Sequence, residues 1–285
     1  MKTAAAPRTL LLGHSPDPDD AFMHWALATE RLETGGLRFE HRLEDIETLN
    51  RRALRGEYEI TAVSIHAWAH VGGKYALLNH GASMGEGYGP RIVARERFGL
   101  ERLAQGGGKR MAIPGEWTSA HLAAQLRIGA YDYGLVAFDE IPAAVARGDY
   151  DAGLLIHEGQ LTYQEQGLVL LEDLGAWWAR ETGGLPLPLG GNCVRRDLGA
   201  LVPEVSRLLQ ASIREGLEHR AEAVAYALGF GRGLTLAQAD EFIGMYVNAR
   251  TLDYGDDGRE AVRLFLRRAR EAGMIPDGPE PDFVR

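Results

Sequence analysis

The stretch AGLLIHEGQLTYQEQGL, residues 152–168, runs an apolar strand-like segment (Ala152, Gly153, Leu154, Leu155, Ile156) straight into His157 and Glu158. Imidazole has an unperturbed pKa of about 6.5, which suits it to take a proton at neutral pH. A histidine held at the end of a buried strand is therefore a candidate general base. The competing reading is a core histidine with its hydrogen bonds satisfied. Successive strand residues face opposite sides, so Glu158 is expected to point away from the ring rather than orient it.

In open α/β sheets, ligands bind beyond the carboxyl ends of the strands. Four such ends carry small polar or titratable residues: Ser15, Ser64, the pair Thr118–Ser119, and His157. Singly, a Ser or Thr before a helix is most often an N-cap. As a set they carry more weight. Thr118 and Ser119 open a helix after a strand, where hydroxyls and backbone N–H groups can hold a carboxylate or another anion.

Metal and nucleotide chemistry find little support. His66 and His70 share a helix face at i, i+4, but IHAWAHV lacks the Glu of HExxH. The acidic SPDPDD lacks the spacing and closing Glu of a calcium loop, and its Asp residues fit a helix start. The glycine runs GEGYG (85–89), GGG (106–108) and GFGRG (229–233) match neither GxGxxG nor a P-loop. Cys193 is the only cysteine, so there is no intrachain disulfide and no multi-Cys zinc site. Trp177 and Trp178 can pack at a lobe edge or line a pocket; both readings stand.

These residues hang on short β-like runs that alternate with amphipathic helical stretches. TLLLGH (9–14), LRFEHRLE (37–44), YEITAVS (58–64), RIVARE (91–96), RMAIPG (110–115), GLVAF (134–138) and DYDAGLLI read as strands. Alternation of this kind predicts βαβ units and largely parallel sheets. RGEYEI (55–60) and RGDYDA (147–152) each follow a helix and precede an apolar strand. If that near-repeat marks two lobes of similar topology, Ser64 and His157 sit at equivalent strand ends. The last third reads as helices, with Pro203 at a helix start and Thr235…Gln238 as a capping box.

The 285 residues suffice for one large or two modest α/β domains, and the formal charge of −9 argues against a general nucleic-acid or anionic-membrane binder. Leu10–Leu12 is too short an apolar run for a signal peptide, and nothing approaches membrane-spanning length. A cytoplasmic protein is expected, with no nucleic-acid or membrane partner, as a monomer or homodimer.

Four stretches carry a further signal: HSPDPDDAFMHWAL, LEDIETLNRRALRGEYEITAVS, GLLIHEGQLTYQEQGLVLLEDLGAWWARETGGLPLPLG and YVNARTLDYGDDGREAV. Together they resemble the 1,4-dihydroxy-6-naphthoate synthases of the futalosine route to menaquinone. The first motif departs from the family pattern at Asp17 and Asp19. The resemblance implies a type-2 periplasmic-binding-protein-like fold, with two α/β lobes, two crossover strands and a ligand cleft between the lobes. On that reading residues 1–94 and 194–285 form the larger lobe and 95–193 the smaller.

The resemblance also implies conversion of cyclic dehypoxanthinyl futalosine, a small-molecule carboxylate, to 1,4-dihydroxy-6-naphthoate by a carbon–carbon lyase reaction. The family's histidine base matches His157. Its substrate contacts match Ala62, Val63, Ser64, Thr118 and Ser119, and Ser15 lies beside them at a strand end. No metal or organic cofactor is implied. Two other classes fit the same fold: a non-catalytic solute-binding protein, and the sister enzyme that dehydrates chorismate. The context of His157 and the DLGAWW…LPLPLG run weigh against the sister enzyme.

Overall fold

The computed structural model describes residues 8–157, 159–230 and 234–285. Glu158, the first seven residues and the end of the GFGRG run lie outside the described residues. In chain order the first elements are β1 (Arg8–His14), α1 (Pro18–Ala28), β2 (Leu37–Leu43), α2 (Ile46–Arg55), β3 (Ile60–Ser64), α3 (Ile65–Val71), β4 (Tyr75–Leu77) and β5 (Ser83–Gly85). Then come β6 (Arg91–Ala94), β7 (Arg110–Ile113), α4 (Ser119–Ile128), β8 (Asp132–Leu135), α5 (Ile141–Arg147), β9 (Ala152–Leu155) and α6 (Gly159–Thr162). The chain closes with β10 (Val169–Asp173), α7 (Leu174–Thr182), β11 (Leu187–Arg195), α8 (Val202–Glu218), α9 (Arg220–Leu228), α10 (Leu236–Tyr246), α11 (Ala249–Leu252) and α12 (Gly255–Glu271). Among the described residues no helix is long and apolar enough to cross a membrane.

The chain forms two compact units, one of residues 1–83, 190–256 and 278–285, the other of residues 84–189 and 257–277. The sequence boundaries at 94/95 and 193/194 thus stand beside observed ones at 83/84 and 189/190, and most of α12 joins the second unit. Packing explains α12. Phe265 meets the ring of Trp178 edge-on at 5.5 Å, and the Arg268 guanidinium lies 5.0 Å over the same ring. Trp178 is fully buried and donates its indole N–H to Pro186 O at 3.0 Å, so it is a core residue of its unit.

The sheet of the first unit has the strand order β2-β1-β3-β11-β4, and that of the second has β10-β6-β9-β7-β8. Each is mixed rather than largely parallel. In the first, β1 runs parallel to β2 and β3, while β11 is antiparallel to β3 and β4. In the second, β7 runs parallel to β8 and β9, while β6 is antiparallel to β9 and β10. The two orders are the same when β7, β8 and β9 stand for β1, β2 and β3. The RGEYEI/RGDYDA near-repeat therefore reflects a repeated topology: Gly56 and Gly148 end the preceding helices in left-handed conformations, and β3 and β9 are equivalent strands.

Apolar clusters hold these sheets. Leu10, Leu12, Ile60 and Val194 pack with Val205 and Leu209 of α8 in the first unit, and Val93, Ala112 and Leu155 pack with Ile141 and Val145 of α5 in the second. β9 carries Gly153 because α5 lies directly on it. A Cβ there would come within 2.5 Å of Ile141 Cγ2 and 2.8 Å of Val145 Cγ2. Gly153→Ala should cost about 1–3 kcal/mol through this overpacking, read as a lower urea midpoint at unchanged slope.

Candidate active site

The four candidate positions occupy equivalent places in the two sheets. Ser15 follows β1 and Thr118 follows β7, before α1 and α4 respectively; Ser64 ends β3 and His157 lies two residues beyond β9. All stand at carboxyl ends, where an α/β sheet offers a ligand site.

In the first unit, β1 pairs with β3 only at Leu12–Ile60 and Gly13–Thr61, so Ala62, Val63 and Ser64 run on past the paired stretch of β1. On the other side these three residues are held by Asn192, Gly191 and Gly190 of β11. Ser64 makes no N-capping hydrogen bond to α3. Asn50 of α2 clamps it instead: Ser64 N donates to Asn50 Oδ1 at 2.9 Å, and Asn50 Nδ2 donates to Ser64 Oγ at 3.0 Å. The hydroxyl is thus fixed as an acceptor from Asn50, and its own hydrogen can be directed to a ligand.

Asn50 was not foreseen from the sequence, although a cue was present. It is a fully buried amide on the same face of an amphipathic helix as Leu49 and Ala53. Asn50→Leu keeps the size but strips partners from two buried groups of Ser64. A loss of about 1–3 kcal/mol in denaturant-measured stability is expected, with a higher KM.

Ser15 is turned inward. Its N–H donates to Asp20 Oδ2 at 2.7 Å, and its Oγ accepts from Asp17 N at 3.1 Å, forming the entry to α1. Asp17 is the N-cap position, and Asp19 and Asp20 occupy the first turn, where the helix dipole favours them. Burial, followed by the carboxylates of Asp20 and Asp17, pushes Asp19 well above the usual carboxylate range.

In the second unit, Thr118 is a true N-cap. Its Oγ1 accepts from His121 N at 3.2 Å and donates to Gly115 O at 2.9 Å, while Ser119 Oγ donates to Leu189 O at 2.5 Å. Both residues are buried, and both hydroxyls bond to the protein's own backbone. The Thr118 cap fixes the start of α4 at the carboxyl end of β7. Ser119 N and Ala120 N precede the first intrahelical bond, from Leu122 N to Thr118 O. The imidazole of His121 bonds Tyr131 OH at 2.7 Å, and burial lowers its pKa to about 4, so it adds no charge at neutral pH.

His157 is half-buried at the end of a fully buried strand. Its ring meets Phe138 edge-on with centroids 4.1 Å apart. The sequence placed Phe138 at the end of a strand, but β8 stops at Leu135, and the following turn carries the phenyl ring to the imidazole. Gln160 N donates to His157 O at 2.8 Å at the start of α6.

His66 and His70 do lie together, with ring centroids 5.6 Å apart, yet no group of three or more His, Cys, Asp or Glu side chains among the described residues is arranged to hold a metal ion.

Comparison with known proteins gives this geometry a family. The profile of a menaquinone biosynthesis family matches residues 10–271. The chain belongs to that family. A 1,4-dihydroxy-6-naphthoate synthase of Thermus thermophilus is 40% identical over 276 residues, covering 96% of this chain and 99% of that protein. One of Streptomyces coelicolor is 37% identical over 282 residues, covering 95% and 97%. The crystal structure of protein AF1704 from Archaeoglobus fulgidus, 42% identical, superposes with a TM-score of 0.87 over 94% of this chain and 98% of its own. The alkanesulfonate-binding protein SsuA of Xanthomonas axonopodis pv. citri, bound to MOPS, superposes at 0.67 with 15% identity over 98% of each chain. At that identity it shows the fold alone: the menaquinone-family chain has the type-2 periplasmic-binding-protein architecture.

Proposed function

We propose that the protein is a 1,4-dihydroxy-6-naphthoate synthase, a lyase acting in the cytoplasm on cyclic dehypoxanthinyl futalosine and releasing its sugar portion. The observation that carries this reading is the near-full-length similarity, at 37–40% identity, to two proteins bearing that name. The placement of Ser15, Ser64, Thr118–Ser119 and His157 at equivalent strand ends agrees with it.

His157 is the general base. Thr118 and Ser119, at the start of α4, take the substrate carboxylate. Ser64, with the adjoining Ala62–Val63 backbone, binds a hydroxyl or carbonyl on the sugar side, and Ser15 shapes the neighbouring strand end. Proton removal by His157 starts cleavage of the carbon–carbon bond to the sugar, and formation of the aromatic naphthalene ring drives it. The base is needed at one atom of the substrate and at no metal or organic cofactor.

Chromatographic turnover of cyclic dehypoxanthinyl futalosine by the purified protein tests the reading, with chorismate as the competing substrate. Formation of 1,4-dihydroxy-6-naphthoate supports it. Consumption of chorismate in its place, or ligand binding without product, would move the protein to the sister enzyme or to a solute binder.

A further inference from the structure

The base in this reading sits on a short turn beyond its strand, and a base that wanders loses rate steeply, because a misplacement of about 1 Å can cost a hundredfold. Something must hold His157 and Gln160 against the sheet. The register points to the residue that does. Arg91, the first residue of β6, lies opposite Leu155 of β9 on one side and opposite Asp173 of β10 on the other. It therefore begins a strand where both of its neighbours end.

The Arg91 side chain uses that position three ways. Its Nη1 donates a short hydrogen bond to Gln160 O. Its Nε faces Asp173 Oδ2 at 3.4 Å, and its guanidinium lies 5.8 Å from the centre of the Tyr163 ring. Asp173 is itself immobilised, because its other carboxylate oxygen accepts from Gly175 N and Ala176 N at 3.0 Å each as the N-cap of α7. Gln160 in turn donates its N–H to His157 O at 2.8 Å. A continuous chain of bonds thus runs from the capped start of α7, through a planar guanidinium, to the peptide of His157.

We propose that Arg91 is a positioning residue for His157, fixing the turn that carries the imidazole by tying the Gln160 carbonyl to the Asp173 cap. The proposal rests on His157 being the base. A guanidinium is suited to the task because its fork reaches carbonyl and carboxylate together, whereas an ammonium is a single point. Arg91 touches no reacting atom; it acts through the backbone of Gln160 and His157.

The test combines kinetics with hydrogen exchange on Arg91→Gln and Arg91→Lys. Arg91→Gln is expected to lower kcat roughly 10- to 100-fold with KM within about twofold, and Arg91→Lys to recover part of that loss. In the double variant Arg91→Gln/His157→Ala the two losses should not multiply, since a base that is absent cannot be misplaced. The Gln160 amide should exchange at least about tenfold faster in Arg91→Gln, while amides of β6 and β9 stay protected.

An unchanged Gln160 exchange rate, or losses that multiply fully in the double variant, would overturn the proposal. If wild type turns substrate over and His157→Ala does not, but Arg91→Gln matches wild type, Arg91 is refuted and the base stands. If wild type forms no product, the functional reading falls by itself, and exchange at Gln160 still decides whether Arg91 holds the turn.

Discussion

Replacing His157 by Ala should lower kcat with cyclic dehypoxanthinyl futalosine by 10²–10⁴-fold, roughly the range a positioned general base contributes. That corresponds to about 3–5 kcal/mol of transition-state stabilisation. KM should move little, because the groups assigned to ground-state binding are elsewhere, at Ser64 and at the start of α4. The variant should fold. His157 is only half-buried, and the strand that delivers it, β9, is fixed by Leu154, Leu155 and its pairing with β6 and β7.

Steady-state kinetics beside a thermal melt separates the two possible causes of lost rate. Lower kcat with an unchanged melting temperature locates the effect in the chemical step. A fall in melting temperature of several degrees would mean that the ring is a packing partner of Phe138 before it is a base. His157→Gln, which keeps a polar side chain of similar reach but cannot take a proton at neutral pH, should be as inactive as the alanine variant. Equal turnover in all three proteins would remove His157 from the mechanism.

Much of this arrangement was legible in the sequence, and the failures have physical reasons. β3 and β9 were readable because a strand covered on both faces becomes a continuous apolar run, and each is preceded by a glycine that must adopt positive φ to end a helix. β11 was not readable. LPLGGNCVR contains Pro188, Gly190 and Gly191, which are turn signals by local chemistry, yet the segment pairs with both β3 and β4. Tertiary pairing overrides those signals. With β11 unseen, the antiparallel half of the first sheet was unseen too, and parallel sheets were expected.

At the site, residue types located the strand ends, but contacts decided what each side chain does. The residue types of Thr118 and Ser119 point to hydroxyls as ligand groups, and the structure spends both hydroxyls on backbone carbonyls. Ser64, which resembled an N-cap in sequence, is held by Asn50. Asn50 and Arg91 lie far from His157 in the chain, and only long-range pairing gives them a role.

Acid should unfold the protein well before its carboxylates are exhausted, because several histidines are buried in their neutral form. His14 is the clearest: burial, then the nearby His41, lowers its pKa to about 3. Its Nδ1–H donates to Ser15 O at 2.8 Å, and in the neutral ring Nε2 accepts from His41 Nδ1–H at 3.0 Å. His24 packs against it with centroids 4.6 Å apart, has no hydrogen-bond partner on either ring nitrogen among the described residues, and is pushed well below its ordinary pKa by burial and then by His14 and His41. Burial lowers His80 and His121 to about 4 each.

For all four the folded-state pKa lies below the unfolded value, so the unfolded chain binds the extra protons. Their stabilisation is fully present above about pH 6.5 and is lost as pH falls toward the folded values. Between about pH 6 and 4 each group contributes a slope of up to about 1.4 kcal/mol per pH unit, and four together up to about 5.5. Asp19 works against them, since its raised pKa makes the folded state the better proton binder, and it offsets part of the slope. Asp151, lowered by hydrogen bonds from Arg110 N and Lys109 against the opposing effect of burial, titrates below this window.

A domain stable by about 5–15 kcal/mol cannot absorb such a slope for more than two or three pH units, so cooperative unfolding is expected near pH 4–5. Urea denaturation at stepped pH measures the slope directly. His24→Leu supplies the internal control: it removes one titrating group and one unbonded buried polar ring, so stability at pH 7 should hold or rise while the acid slope falls by about 1.4 kcal/mol per pH unit. A wild-type stability that stays flat from pH 7 to pH 4.5 would mean that these rings accept protons in the folded state, and that the His14–His24–His41 cluster opens to water rather than resisting it.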